Sequence, residues 1–373
     1  MAVRILYVAT VTKKHIMQFH IPFLKMCKEA GWETAVAARN DYANPNDCNI
    51  PYCDVYYDIP FERSPLKIKN AVAYRKLKTV IEQGEYDIIH CHTPVGAMLT
   101  RLAARKARKK GIKVIYTAHG FHFYKGAPLK NWLMYYPVER VLARLTDVLI
   151  TINKEDYACA QTFKAGKVVY VPGVGIDTTR FGKAITAEER HNIRAEMGVP
   201  DDALLLCSVG ELNENKNHAL VIKALAQLDN PNIHYCIAGM GAYREKLEVL
   251  SQELGVARCV HLLGYRSDIN ELYKSSDIFC FPSLREGLPV ALMEAMASGL
   301  PCLASRIRGN VDLMGENSEM LFDPRNLGEF KRKLEQVITG IDYPPQIDYS
   351  NMLLPFSQDA VLAQMKEVYG IIK

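Results

Sequence analysis

The sequence predicts an α/β protein built as two doubly wound halves, and three observations carry that expectation. Short, β-branched apolar runs alternate with helical stretches along the chain, the pattern of a parallel sheet covered on both faces. The runs form two series, with Pro and Gly concentrated between them at PGVGID, residues 172–177. A chain of 373 residues is also too long for one ordinary core.

In chain order, the first series is VRILYVAT (3–10), ETAVAA (33–38), YDIIHC (86–91), KVIYTAH (113–119) and DVLITI (147–152). The second is KVVYVP (167–172), ALLLCSVG (203–210), IHYCIAG (233–239), CVHLLG (259–264), DIFCFP (277–282) and LPCLAS (300–305). These place a first domain at 1–168, a second at 169–355 and a linker near 165–180. After a turn-rich DYPPQIDYS (342–350), helical periodicity returns, and a helix over 356–373 is expected to complete the first domain. A ligand cleft is expected between the halves, where strand ends face each other.

Composition narrows the class. With 49% hydrophobic and 23% charged residues the chain reads as an ordinary folded protein. No apolar run approaches the roughly 18 residues of a membrane span, and Met1 to Thr10 reads as a buried strand rather than a leader, so a cytoplasmic protein is expected. The ten cysteines are scattered without a C-x-x-C pair, which fits reduced, buried thiols. Net charge is only +5, but RLAARKARKKGIK (101–113) carries seven Lys or Arg and no acid. An anionic membrane surface at the inner face is the expected partner, since such clusters gain ~1 kcal/mol per basic residue there. No nucleic-acid-binding motif accompanies it. KNWLMYYPVER (130–140) reads as a core helix; if it shared a surface with the basic stretch, the two would dock on a bilayer.

The chemistry-bearing residues lie mostly in the second half. REGLPVALMEAMASGLP (285–301) sets Glu286 and Glu294 in an apolar, small-residue segment. Pro289 suits a first helical turn and Gly299 with Pro301 ends the helix, so Glu286 belongs to the lead-in loop and Glu294 to the helix. Eight positions on an ideal helix span about 12 Å, enough for two carboxylates to grip both ends of a hydroxyl-rich ligand. VGELNENKNHALVIKALAQL (209–228) runs from Gly210 through a polar loop into a helix near Asn217, where amide groups and Lys216 suit a phosphate. AGMGAYREKL (238–247) offers Gly239 and Gly241 for close backbone approach, and GYRSDINELYKSSDIFCFPS (264–283) offers an aromatic for a nucleobase.

In the first half, His90 and His92 share a strand-end face, and His119 and His122 bracket Gly120 and Phe121. Their spacing, with Cys91, matches no zinc signature, and lining a cleft is the preferred reading, with no metal expected.

Together these residues resemble the retaining glycosyltransferases of family 4, which use the GT-B fold: two Rossmann-like domains facing across a cleft. The resemblance spans nearly the whole chain. Its strongest element is EGLPVALME (286–294), an E-x7-E motif, supported by His119 to His122, by PGVGID and by Gly210 to Lys216. It implies that Glu294 binds the ribose hydroxyls of a nucleotide sugar, that Glu286 sits against the transferred sugar, that Lys216 holds the diphosphate and that His119 contacts the donor sugar. Gly210, Gly239, Gly241, Arg285, Gly287 and Leu288 are expected to line the nucleotide-sugar site. Two departures stand out: Glu211 occupies a position where the family often has Arg, and ATVTKKHIMQFH (9–20) lacks the Gly-rich turn of many relatives.

The implied reaction moves a hexose or N-acetylhexosamine, with retention and without a metal, from a uridine nucleotide sugar to a glycan or lipid-linked saccharide in polysaccharide assembly. A nucleotide-sugar epimerase or a sugar phosphorylase is the rival enzyme reading. A non-enzymatic basic membrane-binding protein is the third, and it gives no reason for Glu286 and Glu294.

Overall fold

The computed structural model describes residues 2–340 and 347–371; of the turn-rich 342–350 stretch, residues 342–346 lie outside it. The chain forms two compact units. One runs to Gly175 and takes back the segment from Asp359; the other is Ile176–Gln358.

The first unit holds seven parallel strands: β1 (Arg4–Val11), β2 (Glu33–Arg39), β3 (Val55–Asp58), β4 (Ile88–His92), β5 (Lys113–Ala118), β6 (Val148–Thr151) and β7 (Lys167–Tyr170). Their order is β3-β2-β1-β4-β5-β6-β7. β1 and β4 are buried on both faces, which is why they read as continuous apolar runs rather than alternating ones. KVVYVP, assigned above to the second series, is instead the last strand of this sheet, paired with β6; a border at 168 would cut through it. Its flanking PGVGID, rather than its own pattern, marks the unit boundary.

The returning helix Gln358–Tyr369 closes this unit by burying Val361, Met365 and Tyr369 beside Trp32 and Val36. Its last residue is fixed by polar contacts: Tyr369 Oη lies 2.7 Å from Tyr7 Oη and 2.6 Å from His90 Nδ1.

The second unit holds six parallel strands: β8 (Leu204–Val209), β9 (Ile233–Ala238), β10 (Val260–Gly264), β11 (Ile278–Phe281), β12 (Cys302–Ser305) and β13 (Leu321–Phe322). Their order is β10-β9-β8-β11-β12-β13. Helix starts follow local chemistry: Thr186 and Glu189 form a reciprocal capping box before Ala187–Glu196. The helix Val290–Ala297 follows Pro289 and stops where Gly299 adopts φ +80°, a conformation that costs glycine little.

Both sheets reverse strand order once, between β1 and β4 and between β8 and β11. In open α/β sheets ligands bind beyond the carboxyl ends of the strands at such a reversal. The segments that follow Val11, His92, Val209 and Phe281 are therefore where function is expected.

Three sequence expectations change. β3 and β13 were not anticipated, because β3 is half exposed and β13 has two residues, too few to show a period. The helix Leu129–Leu142 is not a core helix: Trp132, Tyr135 and Tyr136 pack inward, but Leu129, Leu133, Met134, Val138 and Val141 are exposed. Of the seven basic residues in 101–113, three are engaged internally: Arg101 pairs with Glu139 at 2.9 Å, Arg108 with Asp147 at 2.8 Å, and Lys113 donates to the Val368 carbonyl. Arg105, Lys106, Lys109 and Lys110 remain exposed. All ten cysteines are free thiols, and no helix among the described residues is long and apolar enough to cross a membrane.

Candidate active site

In the second unit, the loops after β8 and β11 are stitched together by backbone and side chain. Leu284 N–H donates to the Asn215 carbonyl at 2.7 Å, and Asn215 Nδ2 donates to the Arg285 carbonyl at 2.9 Å. Asn217, left-handed at φ +53°, leads into the helix His218–Leu228 and donates to the carbonyls of Pro282 and Pro324. Between these tethers Lys216 Nζ meets Glu286 Oε1 at 2.8 Å, both side chains largely shielded, with the ammonium 4.8 Å from the centre of the Phe281 ring.

The glycines explain how tightly this loop is held. A Cβ on Gly210 would lie 3.1 Å from Lys216 Cε, so the missing side chain makes room for the lysine stem. A Cβ on Gly239 would lie 1.8 Å from the Gly210 carbonyl oxygen, and one on Gly241 2.2 Å from that of Leu212. The close approach foreseen for Gly239 and Gly241 is thus to the chain's own Gly210–Leu212 segment, which they support from beneath. Gly287 plays the matching part on the other loop: a Cβ on Gly309 would strike its carbonyl oxygen at 2.2 Å.

Glu286 sits in the loop before the helix Val290–Ala297 and Glu294 within it. Tyr273 Oη is 3.2 Å from Glu294 Oε2 and 3.1 Å from the Ala291 carbonyl. Burial raises the Glu294 carboxyl to about 7, against the hydrogen bond from Tyr273 and the positive charge of Arg180, which pull it down. A carboxyl that ionises near neutrality, held partly buried, is poised to take hydroxyl donors from a ligand. Arg285 is exposed, Leu288 is buried, and Glu211 faces solvent. Tyr265, directly after β10, is 76% exposed and offers an open ring.

Sequence reasoning missed Arg308, whose Nε donates to the Glu286 carbonyl at 3.0 Å and so fixes the backbone of that loop. Its signal was only the second of two arginines, Arg306 and Arg308, after β12.

His119 belongs to the first unit, with its Nε2 3.2 Å from His92 Nδ1. The other histidines foreseen there separate: His90 is bound by Tyr369 and by Thr117 at 2.8 Å, and His122 stacks on Tyr135 with ring centres 4.7 Å apart. His15 and His20, which the sequence reading passed over, take their places beside His92 and His119.

Two Rossmann-like parallel sheets, each with one reversal of strand order, are the architecture of the GT-B glycosyltransferases. The family described as "Glycosyl transferases group 1" matches residues 189–349, and "Glycosyl transferase 4-like" matches 4–153. EpsD of Bacillus subtilis (strain 168), named a glycosyltransferase, is 40% identical over 99% of this chain and 97% of its own length. The "UDP-Gal:alpha-D-GlcNAc-diphosphoundecaprenol alpha-1,3-galactosyltransferase" of Escherichia coli is 30% identical over 72% of this chain and 71% of its own. Among solved structures, Alr3699/HepE of Anabaena, in complex with UDP and glucose, shares the fold at a TM-score of 0.78 and 18% identity, over 99% of this chain and 100% of that one. WaaG, a glycosyltransferase involved in lipopolysaccharide biosynthesis, does so at 0.71 and 16%, over 98% and 99%. The chain belongs to this glycosyltransferase family.

Proposed function

We propose that this protein transfers a hexose or N-acetylhexosamine from a uridine diphosphate sugar to a hydroxyl of a glycan or lipid-linked saccharide during polysaccharide assembly. The carrying observation is the Lys216–Glu286 pair at the reversal of the second sheet, with Glu294 on the helix that follows. The uridine donor and the lipid-linked acceptor are supported by the name of the Escherichia coli relative.

In this reading Glu294 accepts the ribose hydroxyls, Tyr265 stacks on the base, Lys216 and the amides that open His218–Leu228 hold the diphosphate, and Glu286 faces the transferred sugar. The bond from the sugar's anomeric carbon to the diphosphate breaks as the acceptor oxygen bonds to that carbon on the same face. The acceptor's proton passes to the departing phosphate oxygen, so configuration is retained and no side chain need act as base. Negative charge grows on the diphosphate, and Lys216 stabilises it from a position fixed in advance. No metal is required at this site.

The acceptor side is supported by surface chemistry. The helix Pro94–Ala103 packs against both Lys69–Gln83 and Leu129–Leu142. Exposed apolar residues occur on or beside all three, with Leu66 and Ile68 ahead of Lys69–Gln83, Leu102 on Pro94–Ala103 and Leu133 and Met134 on Leu129–Leu142. Arg105, Lys106, Lys109 and Lys110 follow directly after Pro94–Ala103. Apolar side chains beside exposed cations suit an anionic bilayer, where a lipid-linked acceptor would be met.

The test is product analysis with a panel of UDP-sugars and a lipid-linked saccharide. Saccharide extension with stoichiometric UDP release is expected. Epimerised nucleotide sugar formed without acceptor, or turnover that requires inorganic phosphate, would replace transfer by one of the rival chemistries.

A further inference from the structure

The first unit contains a cluster of four histidines. His15 and His20 follow β1, His92 ends β4 and His119 follows β5, so all four stand at the carboxyl edge of the first sheet beside its reversal. One ligand-competent atom from each lies within 4.8 Å of all the others. The His20 and His92 rings are tilted by 33° with centres 3.9 Å apart, and His15 meets His20 at 4.9 Å and His119 at 5.0 Å.

What distinguishes this cluster from a packed aromatic group is its unsatisfied nitrogens. His15 Nε2, both ring nitrogens of His20 and His92 Nε2 are buried without a hydrogen-bond partner among the described residues. Buried polar atoms are almost always paired, and the orphans on the adjacent His15 and His20 rings call for a partner; a single ion would take one nitrogen from each ring.

The local backbone is built to hold them. A wide helical turn, Thr12–Ile16, precedes the helix Ile21–Glu29 and swings His15 over His20. Thr93, next to His92, is held at φ +63° with its hydroxyl 2.6 Å from that of Thr10, locking the end of β4 to β1. Strain of this kind persists where surrounding structure fixes it, commonly at binding sites.

We propose that His15, His20, His92 and His119 form a binding site for one divalent transition-metal ion of the zinc class. Imidazole sets suit zinc, copper and nickel, and a tetrahedron of nitrogens ~2.1 Å from the ion has edges of about 3.4 Å. The pair His92 Nδ1 and His119 Nε2 already has such an edge, at 3.2 Å, and with one nitrogen each from His15 and His20 the set lies within 4.8 Å. The ion ties the segment after β1 to the ends of β4 and β5. The inference does not rest on Lys216, Glu286 or Glu294, which belong to the other unit; it gives His119 to the ion in place of the donor-sugar contact that the family resemblance implies.

The test uses full-length protein without a polyhistidine tag, stripped with a chelator, dialysed and titrated with Co2+ and Zn2+. One Co2+ per chain with the intense visible absorption of a four-coordinate nitrogen site is expected, displaced by Zn2+. Affinity should fall at least tenfold in His20→Gln and in His92→Gln and stay unchanged in His122→Gln. If a variant does not fold, the wild-type spectrum decides alone. Substoichiometric Co2+ with the weak spectrum of the hydrated ion would overturn the site and leave His119 to the donor-sugar contact implied by the family resemblance.

Discussion

Lys216 Nζ lies 2.8 Å from Glu286 Oε1, joining the loops after β8 and β11 across seventy positions of sequence. The pair holds the ammonium at the point where the sheet reverses; in the function proposed above it supplies a charge for the leaving diphosphate and a carboxylate for the sugar. Lys216→Ala is expected to lower kcat by roughly 10²- to 10³-fold, the usual effect of removing one preorganised group that meets developing charge. Steady-state kinetics check this, with circular dichroism to confirm folding. An unchanged kcat would remove Lys216 from the transition state.

Glu294 gives a pH signature. Its carboxyl ionises near 7 in the fold against 4.5 in the free residue. Between those values the unfolded chain is ionised while the folded chain keeps the proton, so stability falls as pH rises through this window, by roughly 1.4 kcal/mol per unit at most. Below the window both states are protonated; above it the penalty is complete. Glu294→Gln should flatten the slope, as measured by denaturant unfolding at about pH 5 and about pH 8.

In the proposed donor site the same carboxyl must be ionised to accept two ribose hydroxyls. Nucleotide binding should therefore release a proton below about pH 7 and weaken as pH falls further. Titration calorimetry in buffers of different ionisation enthalpy reads that proton directly, and a buffer-independent heat at pH 6 would contradict the assignment.

Gly239 should tolerate no side chain. The added methyl would overlap the Gly210 carbonyl oxygen at 1.8 Å, so backbone must move. Gly239→Ala is expected to cost about 1–3 kcal/mol of stability, as overpacking does. Because the displaced segment carries Lys216, turnover should fall more than folding does, which thermal unfolding and kcat measured on one preparation will show.

The outer face of Leu129–Leu142 predicts bilayer association. Replacing Leu133 and Met134 by Asp should abolish co-sedimentation with vesicles containing anionic lipid, while leaving transfer to a short soluble acceptor intact. Loss of both activities together would instead assign the face to folding.

Much of this was legible in the sequence because the signals were local. The strands buried on both faces read as apolar runs, and EGLPVALME fixed where loop ended and helix began. The Gly239 and Gly241 pattern was seen but its partner was not, since only the fold brings the Gly210 and Leu212 carbonyls against it. KVVYVP went to the wrong sheet because a strand's apolar pattern says nothing of which neighbour it pairs with. His15 and His20 were overlooked for a related reason: a wide turn brings them to His92 and His119, and no sequence spacing encodes that juxtaposition.

The most direct test is thermal unfolding with UDP, GDP and ADP and their sugars, for wild type and Glu294→Ala. A nucleotide at ~100 times its dissociation constant should add about 2.7 kcal/mol. We predict stabilisation of the wild type by the uridine series alone, lost in Glu294→Ala. Stabilisation by no nucleotide, or one undiminished by that substitution, would contradict the donor site built on Glu294, Glu286 and Lys216.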